Sequence, residues 1–233
     1  MALYDRANSR NARNAYAEDS VLHESELVGF VKTTYKFFAG SLLLATIGAL
    51  LGLMNFQAVV QYKWVFFIAE IAAFFGLMFS KSKPGLNLFM LFAFTSLSGV
   101  TLVPLLGMVI AKAGLGAIWQ ALGMTTIVFG LMSVYALKTK NDLANMGKML
   151  FIALIVVVVC SLINLFLGSP MFQVVIAGAS AILFSLYIAY DTQNIVKGMY
   201  DSPIDAAVSL YLDFLNVFIS ILQIIGIFSD RDK

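Results

Sequence analysis

The sequence predicts an all-α polytopic membrane protein, a bundle of seven transmembrane helices. Three observations carry that reading. The 233 residues are 61% apolar (AVILMFWYC) and only 12% charged, with a mean hydropathy of +0.90, whereas a soluble globular chain is about 45–50% apolar and about 25% charged. Seven long apolar runs follow one another, and all fifteen Lys and Arg residues fall in tails, connections or run ends. With too little polar surface to cover a water-soluble core, most apolar side chains must face lipid. Soluble enzymes, nucleic-acid-binding modules and disordered tails are excluded on composition alone.

A hydrocarbon core about 30 Å thick needs roughly 20 predominantly apolar residues per helix. The expected spans are Phe37–Leu53, Trp64–Phe79, Leu86–Ile110, Ile118–Leu137, Met149–Leu167, Phe172–Tyr190 and Ala206–Phe228. Turn or charge signals separate them, among them Lys81-Ser82-Lys83-Pro84-Gly85 and Gly168-Ser169-Pro170. A transmembrane barrel would show alternating segments of about ten residues, which these unbroken runs are not. Gly40, Gly48 and Gly52 in the first span, and Gly123 and Gly130 in the fourth, suit close helix approach. Pro104 lacks a backbone donor and is expected to kink the third span near Thr101. The last span opens with polar residues, so a re-entrant course is the alternative to a full crossing.

Residues 1–30 read as a polar N-terminal tail or short surface helix ahead of a membrane domain spanning 31–229. The tail carries Arg6, Arg10, Arg13, Glu18, Asp19, Glu24 and Glu26 and no signal-peptide pattern; His23 reads there as a solvated side chain. Eleven of the fifteen basic residues lie ahead of the first span and in the second-to-third, fourth-to-fifth and sixth-to-seventh connections. The positive-inside rule therefore puts the N-terminus in the cytoplasm. Trp64, Trp119 and Tyr62 fall at span ends on the other side, as in an interfacial belt. The single cysteine, Cys160, rules out an intramolecular disulfide, and no Cys/His cluster offers a zinc or transition-metal site.

Three of the thirteen acidic residues lie within or at the end of spans: Glu70 in the second, Asp191 closing the sixth, and Asp213 in the seventh. A carboxylate at mid-bilayer costs at least about 2.5–3.5 kcal/mol, and such residues mark ion or proton paths. No Lys or Arg in the spans can neutralise them, so they stay protonated, share protons, or bind a cation. Ser209, Asp213, Asn216, Ser220 and Gln223 follow at steps of three and four, on one helical face. Tyr187, Asp191 and Asn194, with Ser180 upstream, make a matching stripe in the sixth span. Two polar stripes in a lipid-soluble bundle face each other most naturally; a plain inter-helix seam is the alternative, although Ser or Asn would build one at lower cost. If the two aspartates meet, two negative charges at 4 Å repel by roughly 4 kcal/mol at an effective dielectric of about 20. They would hold one shared proton near neutral pH and titrate as a unit. Such a pair is a pH-sensitive latch, and calcium, a hard cation that prefers oxygen, is the metal suited to Asp191 and Asp213.

At these residues the chain resembles a known family. Ser185–Val196 (SLYIAYDTQNIV) and Ala207–Gly226 (AVSLYLDFLNVFISILQIIG) are similar to the last two spans of the transmembrane Bax-inhibitor-motif (Bax inhibitor-1-like) family, and Ser98–Leu106 (SGVTLVPLL) to its Gly- and Pro-containing signature. The resemblance implies a central last helix ringed by the others. It also implies that Asp191 and Asp213 form a pH sensor controlling a calcium leak, and that the protein sits in the cytoplasmic membrane of a bacterium. Family members that latch an aspartate with a basic residue in the second span differ from this chain, which offers only Glu70 there.

The leading expectation is thus a pH-sensitive calcium leak pathway, with Asp191 and Asp213 as gate and Glu70, Asn194, Ser209, Asn216 and Tyr187 as pore-lining or gate-supporting residues. Proton-coupled transport is a variant of it. The alternative is an interaction protein that modulates a membrane partner, such as a quality-control protease, through residues 1–30. No cofactor motif appears, and no enzymatic activity is expected. Tyr190-Asp191 supplies half of an intramembrane aspartyl-protease pattern, but Asp213 lacks the glycine-flanked other half.

Overall fold

A computed structural model describes residues 2–229 of the chain, with side chains described from Glu24 onward except Pro84. All regular structure among these residues is helical: α1 (Ala2–Met54), α2 (Phe56–Gln61), α3 (Lys63–Phe79), α4 (Pro84–Thr101), α5 (Val103–Ala113), α6 (Gly116–Lys138), α7 (Gly147–Leu167), α8 (Pro170–Val196) and α9 (Pro203–Phe228). A 3-10 turn, Leu143–Met146, precedes α7. The expected tail and the first span share one helix, α1; the side chains of residues 1–23, His23 among them, lie outside those described.

The helix ends follow local chemistry. Gly168 closes α7 in the left-handed region (φ 62°), Ser169 caps α8 by accepting from the Phe172 N–H, and Pro170 starts the helix where no donor is needed. Ser202 and Pro203 repeat that arrangement at α9. Pro104 cannot donate to the helix ladder, and the third apolar run divides at Leu102 into α4 and α5, one residue beyond Thr101.

Six helical segments among the described residues are long and apolar enough to cross a membrane: Glu24–Met54, Gly85–Ala113, Gly116–Lys138, Leu143–Leu167, Pro170–Val196 and Pro203–Phe228. This makes the chain an all-α polytopic membrane protein. The count differs from the expected seven at one place. The run Trp64–Phe79 forms α3, whose 17 residues extend about 25 Å at 1.5 Å per residue. The last helix, by contrast, is continuous over 26 residues, and its polar opening does not shorten it.

Contacts across the first helices fix their directions. Gly40, Gly48 and Gly52 of α1 meet Phe92, Ser96 and Val103, so α1 runs parallel to α4 and α5. Gly76 of α3 meets Met90, and Glu70 meets Thr101, so α3 runs antiparallel to α4. The α1–α4 crossing is made backbone to backbone. A Cβ at Gly99 would lie 2.0 Å from the Ala45 carbonyl oxygen, and one at Gly48 would lie 2.2 Å from that of Ser96. Gly123 and Gly130 of α6, expected to do the same, have nothing within 4 Å of a Cβ position; their side of α6 carries no close neighbour.

The last helix is the axis of the bundle. It packs against α1, α4, α5, α6 and α8. Half of its apolar stretch is buried, against 11% for that of α7 at the periphery. Leu210, Tyr211 and Ala207 share one core cluster with Phe38 and Phe94, while Phe218 and Leu222 share another with Leu106, Val109 and Ala121. The outer faces carry Leu43, Phe67, Leu131, Phe151 and Phe166, all exposed, as lipid contact requires.

Two substitutions separate a glycine that packs from one that does not. Gly99→Ala is expected to lower stability by about 1–3 kcal/mol, the usual cost of overpacking. Gly123→Ala is expected to be neutral or to gain up to about 1 kcal/mol from the helix preference of alanine. Thermal unfolding midpoints in detergent measure both.

Candidate functional site

Helices α8 and α9 lie side by side, and their polar stripes converge. Asp213 lies ten residues into α9, about 15 Å along an axis of about 39 Å, close to mid-depth. Asp191 lies five residues before the end of α8. The two carboxyl groups are within hydrogen-bonding reach of each other, although the helices bring them from different depths of their own lengths. Both are buried, with exposures of 5% and 4%. One oxygen of Asp213, Oδ2, has no hydrogen-bond partner, and neither has the buried Asn194 Oδ1. The seam therefore holds acceptors whose capacity the protein leaves unfilled.

A hydroxyl relay leads from the pair toward the bundle end that carries Lys81 and Lys197. Asp191 lies within reach of the Tyr200 hydroxyl, and Tyr200 within reach of Ser209. Tyr200 lies in the α8–α9 connection, outside the spans. Burial first, and then the negative charge of Asp191, hold its hydroxyl above the ordinary tyrosine range, so it stays a proton donor. A cavity of about 330 Å³ opens beside the relay, lined by Lys81, Tyr200, Asp201, Asp205 and Ser209. Lys81 and Asp205 of its lining form an ion pair at 3.1 Å. At the opposite end of α9, Asn216 and Ser220 line a second cavity of about 360 Å³ between α7, α8 and α9.

The remaining candidates divide. Tyr187 lies close enough to feel the charge of both aspartates. Asn216 turns its amide to the Leu212 carbonyl of its own helix, 2.7 Å, and Ser220 bonds the Asn216 carbonyl, 2.7 Å. Glu70 is held apart from the pair. The Thr101 hydroxyl donates to its carboxylate at 2.7 Å and also contacts the Ser98 carbonyl. The Ser98 hydroxyl bonds the fully buried Tyr211. Tyr211 and Asp213 are two residues apart on α9, about 200° around the helix, so the Glu70 network and the aspartate pair occupy opposite sides of the central helix. Among the described residues no three His, Cys, Asp or Glu side chains gather as a metal cluster.

Several participants escaped the sequence reading. Tyr200 follows the left-handed Gly198 (φ 67°) and so falls outside both helical stripes; spacing could not find it. Tyr35 of α1 reaches Thr192, which also meets Ser133 of α6 at 3.4 Å. Gln193 accepts from the Leu143 N–H at 2.7 Å and donates to the Asn141 carbonyl at 3.0 Å, pinning the α6–α7 connection to the end of α8. Lys197 adds an ion pair to Asp142 at 2.7 Å.

This anchorage generates two expectations. Gln193→Leu leaves the buried Leu143 N–H without an acceptor and is expected to cost about 1–3 kcal/mol of unfolding free energy. The hydrogen bond from Lys197, followed by that from the Ala144 N–H, holds Asp142 below the usual carboxylate range. A lowered folded-state value means that the contact contributes fully above the ordinary carboxylate range and is lost as pH falls through the lowered value. The difference in unfolding midpoint between wild type and Asp142→Asn is therefore expected to vanish in acid, which a pH series of melts measures.

The profile of the family described as "Inhibitor of apoptosis-promoting Bax1" matches residues 27–230. The chain is 97% identical to a protein of Helicobacter pylori strain J99 over 233 residues, the full length of both. It is 36% identical to a membrane protein of Vibrio cholerae, covering 87% of this chain and 91% of the relative. It is also 36% identical over 170 residues to the Escherichia coli K12 protein named modulator of FtsH protease YccA, covering 71% and 76%. A family match across nearly all the described helices, joined to whole-length relatives in bacteria, leaves one conclusion: this chain belongs to the Bax inhibitor family of multi-pass membrane proteins.

Proposed function

We propose that the protein is a pH-sensitive calcium leak pathway of the bacterial cytoplasmic membrane, with its N-terminus in the cytoplasm and Asp191 and Asp213 as the gate. The observation that carries this reading is the carboxyl-to-carboxyl contact buried between α8 and α9. Two carboxylates cannot hydrogen-bond without a proton between them, because both offer only acceptors. One shared proton therefore joins the helices. Its loss puts two negative charges in contact, and at 4 Å their repulsion is roughly 4 kcal/mol at an effective dielectric of about 20. That is enough to separate elements held by ordinary packing contacts. Raising the pH drives the pair from bonded to repelling.

Calcium takes six to eight oxygen ligands. The two carboxyl groups, the unpartnered Asn194 Oδ1 and the Tyr200 and Ser209 hydroxyls, completed by water, suit a weak transit site rather than a tight one. The cavities at both ends of the stripe suit a path interrupted at the pair. A path across the membrane also accords with seven crossings. Parallel α1 and α4 need a connection that returns the chain to its starting side, and α3 supplies one; its shortness is met by local thinning of the bilayer. Glu70, on the far side of α9, supports the gate through Thr101 at the α4–α5 break.

Reconstituted vesicles test this reading. Calcium efflux is expected to rise with pH in the wild type. In the Asp191→Asn, Asp213→Asn double variant, whose amides carry no titrating proton, efflux is expected to lose its pH dependence. A double variant with unchanged pH-dependent flux overturns the role assigned to the pair.

A second reading rests on the name of the Escherichia coli relative, a modulator of the FtsH protease. In this reading the chain engages a membrane-bound protease through residues 1–30. Deleting residues 2–28 discriminates: loss of co-purifying protease with flux intact favours the partner, and retention of the protease removes the tail as its handle.

A further inference from the structure

The end of the bundle away from Tyr200 carries a second polar network. Asn164 of α7 donates its amide to Gln173 Oε1 of α8 at 2.8 Å, and Gln173 donates in turn to Gln223 Oε1 of α9 at 2.9 Å. The Asn164 carbonyl oxygen is itself fixed, accepting from the Ser169 N–H at 3.1 Å. Three neutral amides thus form a directed chain across three helices, with each bond in the series leaving no choice of amide orientation for the next.

The position of this chain matters more than its bonds. Two cavities lie along the α7–α8–α9 seam. The inner one, about 360 Å³, reaches Ser180, Asn216 and Ser220, on the α9 face that also carries Asp213. The outer one, about 500 Å³, reaches Lys112, Gly168 and Pro170 at the end of the bundle. Gln173 and Gln223, with Ser161 and Leu165, line both cavities, so the amide chain is the hydrogen-bonded part of the boundary between them.

We propose that the Asn164–Gln173–Gln223 chain is a second constriction, in series with the aspartate pair, that separates the outer vestibule from the polar seam and sets which solutes enter it. The inference rests on the permeation reading above for its physiological meaning, but not for its structural content. The chain offers only neutral dipoles. It contributes no charge to attract or repel, and an amide oxygen released from its neighbour becomes a ligand for a hard cation. Parting Gln173 from Gln223 both widens the neck and turns oxygen into it. Loss of the Gln223 amide leaves the Gln173 Nε2 donor unpaired in a half-buried site, so the neck is held together by mutual satisfaction rather than by bulk.

The test reads access and flux separately. In a Cys160→Ser background, Ser220→Cys places one thiol in the inner cavity. A charged, membrane-impermeant thiol reagent is applied from each side of the membrane in turn. With the amide chain intact, modification from the outer-vestibule side is expected to be slow. Adding Gln223→Ala, which removes one bond of the chain, is expected to speed it several-fold, and Gln173→Ala, which cuts both bonds from α8, by about tenfold or more, the scale of losing two neutral hydrogen bonds. Melting curves show that each variant is folded. Gln223→Met, which keeps the bulk but removes the Oε1 acceptor, is expected to label nearly as fast as Gln223→Ala, which a steric plug alone would not predict. Faster labelling together with faster calcium efflux supports both the constriction and the permeation reading. Faster labelling with no calcium flux in any variant keeps the constriction and removes calcium. A labelling rate unchanged in both alanine variants overturns the constriction, whatever the flux.

Discussion

The distinctive constraint in this bundle is the burial of two carboxyl groups against each other, with no ion-pair partner for either among the described residues. Apolar packing alone would give an inert cluster of helices. The aspartates impose a condition on it, because they can be neighbours in a low-dielectric interior only while a proton lies between them. Asp191 comes from near the end of α8 and Asp213 from the middle of α9, so the contact ties the core of the central helix to the end of its partner. The surroundings respect this condition. Tyr200 faces the pair, Ser209 lies beside Tyr200, and the ion pairs Lys81–Asp205 and Lys197–Asp142 lie at the rim of that end.

The central helix divides the polar groups into two systems that do not mix. On one side of α9 the aspartates face α8; about 200° around the helix, Tyr211 faces α4 and joins Ser98, Thr101 and Glu70. A third network, built from neutral amides, closes the far end of the same seam. Along the α8–α9 seam the carboxyl groups sit toward one end and the neutral amides of Gln173 and Gln223 at the other. A bundle that needed only cohesion would have no reason for that gradation, since serine and asparagine bond helices at lower desolvation cost.

The class of the fold and the placement of its helices were legible because lipid imposes two simple demands, length and apolarity. The α8–α9 stripe was legible because helical periodicity puts Ser209, Asp213 and Asn216 on one face whatever surrounds them. Legibility stopped where tertiary geometry takes over. Tyr200 and Gln193 act from a connection and from a helix end, where no period constrains them. Gly48 and Gly123 look alike in sequence, yet only the first meets a backbone. The short helix α3 shows the same limit. The expected run Trp64–Phe79 matches its extent, Lys63–Phe79, but apolarity alone did not weigh 17 residues against the roughly 20 that a full crossing needs.

The crossing of α1 and α4 has a mechanical consequence. Where Gly99 meets the Ala45 carbonyl and Gly48 that of Ser96, no side chain stands between the two backbones. No rotamer can swing aside, and no flexible tip can re-seat after a slip. Those two helices therefore behave as a single rigid strut, while α6, α7 and α8 are joined through hydroxyls and amides that can exchange partners. The glycine-paired flank is thereby the stiffer of the two, and the flank joined through polar side chains the more easily deformed.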